Sequence, residues 1–166
     1  VTDHRPILLS ASLSNIKSAI EYLTTMDFNS HDFRRIVTLC PQFLASASAS
    51  TLIPVFTFLL REAGVQRWNI RRVIQRRPKL LLCSVENQLR PSLHFLQTIG
   101  IPTEYRHAYL LCCSVAGLLV PRVRYFQDLG LSYRESASMF QRCPQLFSYS
   151  MKENIVPKLE YYVEEM

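Results

Sequence analysis

The chain has 166 residues, 48% of them hydrophobic and 19% charged, proportions that fit one globular domain with a sizeable core and exclude a disordered tail. Its net charge of +6 falls entirely within residues 61–90, where Arg61, Arg67, Arg71, Arg72, Arg76, Arg77, Lys79 and Arg90 stand against only Glu62 and Glu86. The longest stretch without Asp, Glu, Lys or Arg, residues 36–60, is broken by Pro41, Pro54 and a Ser/Ala-rich middle, so it does not read as a bilayer span, and no secretory leader pattern opens the chain.

In chain order the sequence repeats itself with a period of about 36 residues. Each unit has a proline shortly before an aromatic-Leu or aromatic pair, then a glycine, then a second segment closing on Cys/Arg-Pro. With Asp27 at the glycine position of the first unit, 27 residues separate Asp27 from Pro54, Gly64 from Pro91 and Gly130 from Pro157. Pro41, Pro78 and Pro144 each lie 14 residues after the same three markers. The expected fold is all-α: an α-solenoid of about four helix-helix-3₁₀ repeats, spanning approximately 12–47, 48–84, 85–117 and 118–150, with a partial unit at 151–166. No long stretch alternates with period two, so no sheet is expected.

The first helix of each unit should carry Phe58-Leu59, Phe95-Leu96, Tyr125-Phe126 or Tyr161-Tyr162 inward, with its proline near the first turn and Thr51, Asn87 or Asn154 as cap. Gly64, Gly100 and Gly130 suit the left-handed residue that stops such a helix. A second helix then starts behind Asn29 or Ser132, the latter with Glu135 completing a capping box. Phe43-Leu44, Leu80-Leu81 and Leu146-Phe147 form a tight turn between units, and the Ser/Ala run at 45–51 is an inter-helix turn. Arg5-Pro6-Ile7-Leu8-Leu9 matches Arg77-Pro78-Lys79-Leu80-Leu81, so the sequence reads as a piece of a longer array. The third unit departs: only 21 residues separate Gly100 from Pro121. Cys113-Ser114 are aligned there with the Cys/Arg-Pro pairs, His107 with Arg71, and residues 108–120 are expected to form a shorter, more continuous connection.

Chemistry-bearing patterns are sparse. Cys40, Cys113 and Cys143 fall at one repeat position, which points to small core-lining residues rather than ligands converging on one ion; no finger spacing occurs, and no metal is expected. The four histidines are scattered, no glycine-rich phosphate loop is present and no carboxylate pair is placed for acid-base work, so neither an enzyme nor a cofactor is expected. Trp68, beside Arg67, reads first as a packing residue and second as a platform for a base.

The basic face is the functional signal. In 69–82, Ile70, Val73 and Ile74 recur at helical spacing, placing Arg71, Arg72, Gln75 and Arg76 on the other side. Arg34 and Arg35 are the counterparts of Arg71 and Arg72, and Arg142 of Arg76. Arginine outnumbers lysine fifteen to four, which favours forked contacts to phosphate. The candidate nucleic-acid-binding residues are Arg34, Arg35, Arg67, Arg71, Arg72, Arg76, Arg77, Lys79 and Arg142.

The pattern Arg-Arg-Val-Ile-x-Arg-Arg-Pro-x-Leu-Leu, followed in 89–100 by Leu-x-Pro-x-Leu-x-Phe-Leu-x-x-Ile-Gly read with Arg90 after Leu89, resembles the mitochondrial transcription termination factor (mTERF) family, its plant organellar members most. The resemblance implies a curved superhelix whose basic concave side holds double-stranded DNA or structured RNA, and a monomer acting in organellar gene expression, through transcription regulation or termination or RNA metabolism. It also implies an organelle, the plastid (chloroplast) ahead of the mitochondrion, reached by a transit peptide. The competing readings are a protein-interaction scaffold docking an acidic partner in organellar gene expression, and a pentatricopeptide-like array reading RNA one base per unit.

Overall fold

A computed structural model describes residues 13–103 and 105–164, with side chains as far as 161. The match between residues 5–9 and 77–81 lies outside the described residues. Among the described residues nine α-helices follow one another: α1 Leu13–Thr25, α2 Ser30–Leu39, α3 Phe43–Ser46, α4 Ala49–Arg61, α5 Arg67–Arg76, α6 Arg90–Thr98, α7 Val120–Asp128, α8 Tyr133–Arg142 and α9 Val156–Glu164. Tight 3₁₀ turns cover Pro78–Leu82, Ala108–Cys112 and Pro144–Phe147, and no strand occurs among the described residues. The architecture is the expected all-helical repeat solenoid, with one continuous apolar cluster running from Ala19 to Ile155.

Each first helix is stopped by a left-handed residue. Asp27 has φ 65°, Gly64 73°, Gly100 76° and Gly130 97°. The chain then folds back, so that the amides of Phe28, Val65, Ile101 and Leu131 donate to the carbonyls of Leu23, Leu59, Leu96 and Phe126 at 3.1, 2.9, 2.8 and 3.2 Å. These bonds satisfy carbonyls that the helix end would leave open, and Phe28, Val65 and Ile101 are buried immediately beyond. The reversal sets the second helix against the first. Asn29 and Ser132 cap α2 and α8 with complete capping boxes through Asp32 and Glu135. Gln66 gives α5 no side-chain cap.

The first helices start three residues earlier than Thr51 and Asn87 indicate and four earlier than Asn154 does. Their caps are Ser48, Ser84, Ser114 and Ser150, whose hydroxyls accept from the amides of Thr51, Asn87, Gly117 and Glu153 at 3.0 to 3.2 Å. Behind three of these serines the helix opens with a wide π turn, Val85–Leu89, Val115–Leu119 or Met151–Ile155, before Pro91, Pro121 or Pro157. A proline ring collides with the carbonyl four residues back, and the widened turn makes room for it. The inter-helix turn at 45–51 is therefore short, because α4 already begins at Ala49.

Phe58, Leu59, Leu96 and Phe126 are buried and Phe95 and Tyr125 half-buried, as the repeat requires, whereas Tyr161 is exposed. Burying each of these side chains contributes about 1.5–3 kcal/mol. Tyr22 and Phe28 meet Phe56 edge-on at 5.4 and 6.0 Å, and Phe140 stacks on Phe147 at 4.1 Å.

The third unit corrects the expected alignment. Its 3₁₀ turn is intact at Ala108–Cys112, so Ala108 occupies the site of Pro78 and Pro144, while Cys113 matches Cys83 and Ser114 matches the cap Ser84. His107 thus stands at the position of Arg77, not of Arg71. Thirteen residues separate Gly64 from Arg77, but only seven separate Gly100 from His107. The missing stretch is the second helix itself: after Ile101 the chain turns through 105–107 directly into the 3₁₀ segment. Cys113 therefore does not share the repeat position of Cys40 and Cys143, which close α2 and α8.

The stop positions give a stability test. A Cβ on Gly64 would meet nothing within 4 Å, so Gly64→Ala should cost only the left-handed backbone strain, about 1–2 kcal/mol in urea denaturation. A Cβ on Gly100 would lie 2.5 Å from Gln141 Nε2, which donates to the Ile99 carbonyl at 2.7 Å. Gly100→Ala should cost measurably more than Gly64→Ala, and equal losses would show that Gln141 yields freely.

Candidate nucleic-acid interface

The basic residues sit chiefly on the second helices α2 and α5, which pack side by side. Their junction is built on Asp32. Its carboxylate is fully buried, accepts from the Asn29 amide at 2.9 Å, lies 2.6 Å from Arg71 Nε and accepts from Gln75 Nε2. Burial alone would push the carboxyl up; the Asn29 amide, the hydrogen bonds of Arg71 and Gln75 and the Arg71 charge outweigh it and hold the group below the ordinary aspartate range. Arg71 and Gln75, placed on the outer side by their spacing, are thus turned inward as partners of a buried anion. A buried carboxylate keeps its charge only when so surrounded.

The junction leaves a recess of about 380 Å³ lined by His31, Arg35, Arg72, Gln75, Arg76 and Tyr105. Arg35, Arg72 and Arg76 are exposed and converge there. Arg35 Nε donates to the Gln75 carbonyl at 3.3 Å, and the Arg76 guanidinium carbon stands 4.9 Å from the Tyr105 ring centroid. Both contacts position a guanidinium without neutralising it. Tyr105 belongs to the segment that replaces the missing helix, so the shortening of the third unit supplies one wall.

The remaining sequence-selected residues lie around this recess or apart from it. Arg77 faces the Tyr109 ring at 5.8 Å, and Lys79 is exposed on the adjoining 3₁₀ turn. Arg67 turns back, its Nη2 donating to the Thr25 carbonyl at 3.0 Å. Arg34 borders a different depression with Ile20, Leu23 and Phe33, on the other flank of α2. Arg142 is exposed in the last turn of α8 and does not line the recess. Sequence reasoning missed His31 and Tyr105; His31 holds the place in α2 that Trp68 holds in α5, the second residue of each helix, and that equivalence was available.

The two carboxylates of the 61–90 segment do not oppose this face. Glu62 and Glu86 both bind Arg90, with Arg90 Nε and Nη2 on Glu62 at 2.9 and 2.8 Å. Glu62 follows α4 and Glu86 lies in the turn before α6, so the clamp ties successive first helices. Cys83 lies beside Lys79, its thiol donating to the Lys79 carbonyl at 3.2 Å. The Cys112 thiol hydrogen-bonds to Cys83, which with the nearby Lys79 charge holds Cys83 below the usual thiol range against the effect of burial. The same hydrogen bond, and then burial, push Cys112 up. Among the described residues no group of three His, Cys, Asp or Glu could hold a metal ion, and no helix is long and apolar enough to cross a membrane.

A repeat of paired helices and 3₁₀ turns defines a helical-repeat protein. The family model for mTERF matches residues 57–112 and 105–166, and the chain belongs to that family. Members are nucleic-acid-binding factors of organellar gene expression.

Two measurements probe the geometry. Asp32→Ala removes a buried anion, a capping box and the partner of Arg71, and should cost about 2–4 kcal/mol in chemical denaturation, a range that allows for the solvent reaching Arg71. Because the folded carboxyl is depressed, its contribution is complete above the ordinary aspartate range and is lost as pH falls through the folded value. The wild-type stability should therefore decline below about pH 4 more steeply than that of the variant. In timed alkylation with iodoacetamide near neutral pH, Cys83 should react ahead of Cys112, and Lys79→Ala should slow it.

Proposed function

We propose that this chain binds the sugar-phosphate backbone of double-stranded DNA or structured RNA on the α2/α5 face, with Arg35, Arg72 and Arg76 as the central contacts. The observation that carries the reading is their convergence with His31 on one recess from which, among the described residues, the nearby carboxylates are withdrawn. Guanidinium groups offer paired donors to phosphate oxygens, and exposed ones spaced along adjacent helices match a repeating anion. Arg77 and Lys79 extend the contact, and a ligand that wraps beyond the recess meets Arg34 on the other flank of α2 and Arg142 farther along the array. Arg67 and Arg71 act first as anchors that fix α5 against the first unit. The corresponding role is that of a monomeric organellar gene-expression factor, in transcription regulation or termination or in RNA metabolism. The resemblance to plant members favours the plastid.

If about five phosphates are neutralised, the logarithm of the binding constant should fall with the logarithm of salt at a slope of about −4 to −5 on duplex DNA. A gel shift on duplex DNA and structured RNA at a series of salt concentrations reads this directly. The combined variant Arg35→Ala, Arg72→Ala and Arg76→Ala should reduce the slope by about 2–3. Binding indifferent to salt would overturn the reading, and failure to bind nucleic acid together with capture of an acidic protein would favour the scaffold instead.

A further inference from the structure

The second position of each second helix carries a planar side chain that faces solvent. His31 stands second in α2, Trp68 second in α5 and Arg134 second in α8, and all three are exposed. Trp68 is the chain's single tryptophan and is 75% exposed, so it is not the packing residue that its size would suggest. Its neighbour Arg67 is drawn away to the Thr25 carbonyl. Indole, imidazole and guanidinium share one property, a flat face able to stack on a base.

The next turn continues the pattern in α2 and α5 but not in α8, where Ser138 follows Arg134. Residues four apart lie on one helical face, so His31 is succeeded by Arg35, and Trp68 by Arg72 and then Arg76. A flat face with a phosphate-binding group one turn later reproduces the order of base and phosphate in a nucleotide. A duplex keeps its base faces stacked on one another and offers a tryptophan only edges and backbone, whereas an unpaired strand presents the faces themselves.

We infer that Trp68 and His31 are base-stacking residues, so that the face also takes unpaired stretches of nucleic acid, with bases on these two side chains and phosphates on Arg35, Arg72 and Arg76. The inference rests on the proposed function, since it assigns the ligand class of the same face.

The test uses the single tryptophan as a reporter. Oligouridine, oligothymidine and a mixed-sequence duplex are titrated into the wild type, Trp68→Ala, Trp68→Phe, His31→Ala and the triple arginine variant. The single strands should quench Trp68 fluorescence to saturation. Trp68→Ala should weaken single-strand binding by about 5- to 150-fold, with the salt slope kept and duplex binding nearly unchanged. Trp68→Phe should recover part of the loss, and His31→Ala should act in the same direction. Unaltered single-strand affinity in Trp68→Ala, with loss in the arginine variant, would overturn the stacking role and leave the basic face standing. Unaltered affinity in both would overturn the two readings together and assign Trp68 to a protein contact. Equal weakening on duplex and single strand would also overturn the stacking role.

Discussion

The buried carboxylate of Asp32 is the interaction on which the packing of α2 against α5 depends. It caps α2 from within, draws Arg71 and Gln75 of α5 onto itself and so sets the rotation of one second helix against the other. Arg35, Arg72 and Arg76 meet at one recess because of that rotation. An apolar contact at the same place would let the two helices slide or turn relative to each other. A carboxylate holding donors from two helices fixes both, since any displacement strands a charge in the interior.

The shortened third unit acts on the same surface by subtraction. With no α-helix among the described residues between 100 and 107, the neighbour of α5 on that side is the Ala108–Cys112 turn. Tyr105 and Tyr109 stand beside Arg76 and Arg77 there. The repeat survives the loss because each unit's contacts run mainly to its neighbours: Gln88 and Ser92 of the adjoining first-helix segment donate to the Cys112 and Cys113 carbonyls at 2.7 and 2.8 Å.

The parts of this fold legible in the sequence are those fixed by backbone chemistry. A left-handed stop needs glycine or a residue such as Asp27 that tolerates it, and a proline marks where a helix ends or begins, so Gly64, Gly100, Gly130 and Pro78 announced the units by spacing alone. The serine caps were missed because a π turn moves Pro91, Pro121 and Pro157 deeper into their helices than a first-turn rule allows, and Pro54 likewise lies inside α4. The third unit was misaligned because cysteines occur at two repeat positions, and Cys113 matched the wrong one. Pairing was the least legible feature. Nothing local to Arg71 reveals that its partner is Asp32 in the preceding unit, and nothing near Arg67 points to the Thr25 carbonyl, since both contacts exist only once the helices have stacked.

The clamp formed by Glu62, Arg90 and Glu86 has a further consequence. By engaging Glu62 and Glu86 with Arg90 between α4 and α6, it keeps both carboxylates of residues 61–90 from pairing with Arg72 and Arg76 of α5. A screening length of about 8 Å at physiological ionic strength is comparable to the spacing of neighbouring helices. An anion that approaches α5 therefore meets Arg72 and Arg76 without those two carboxylates beside them.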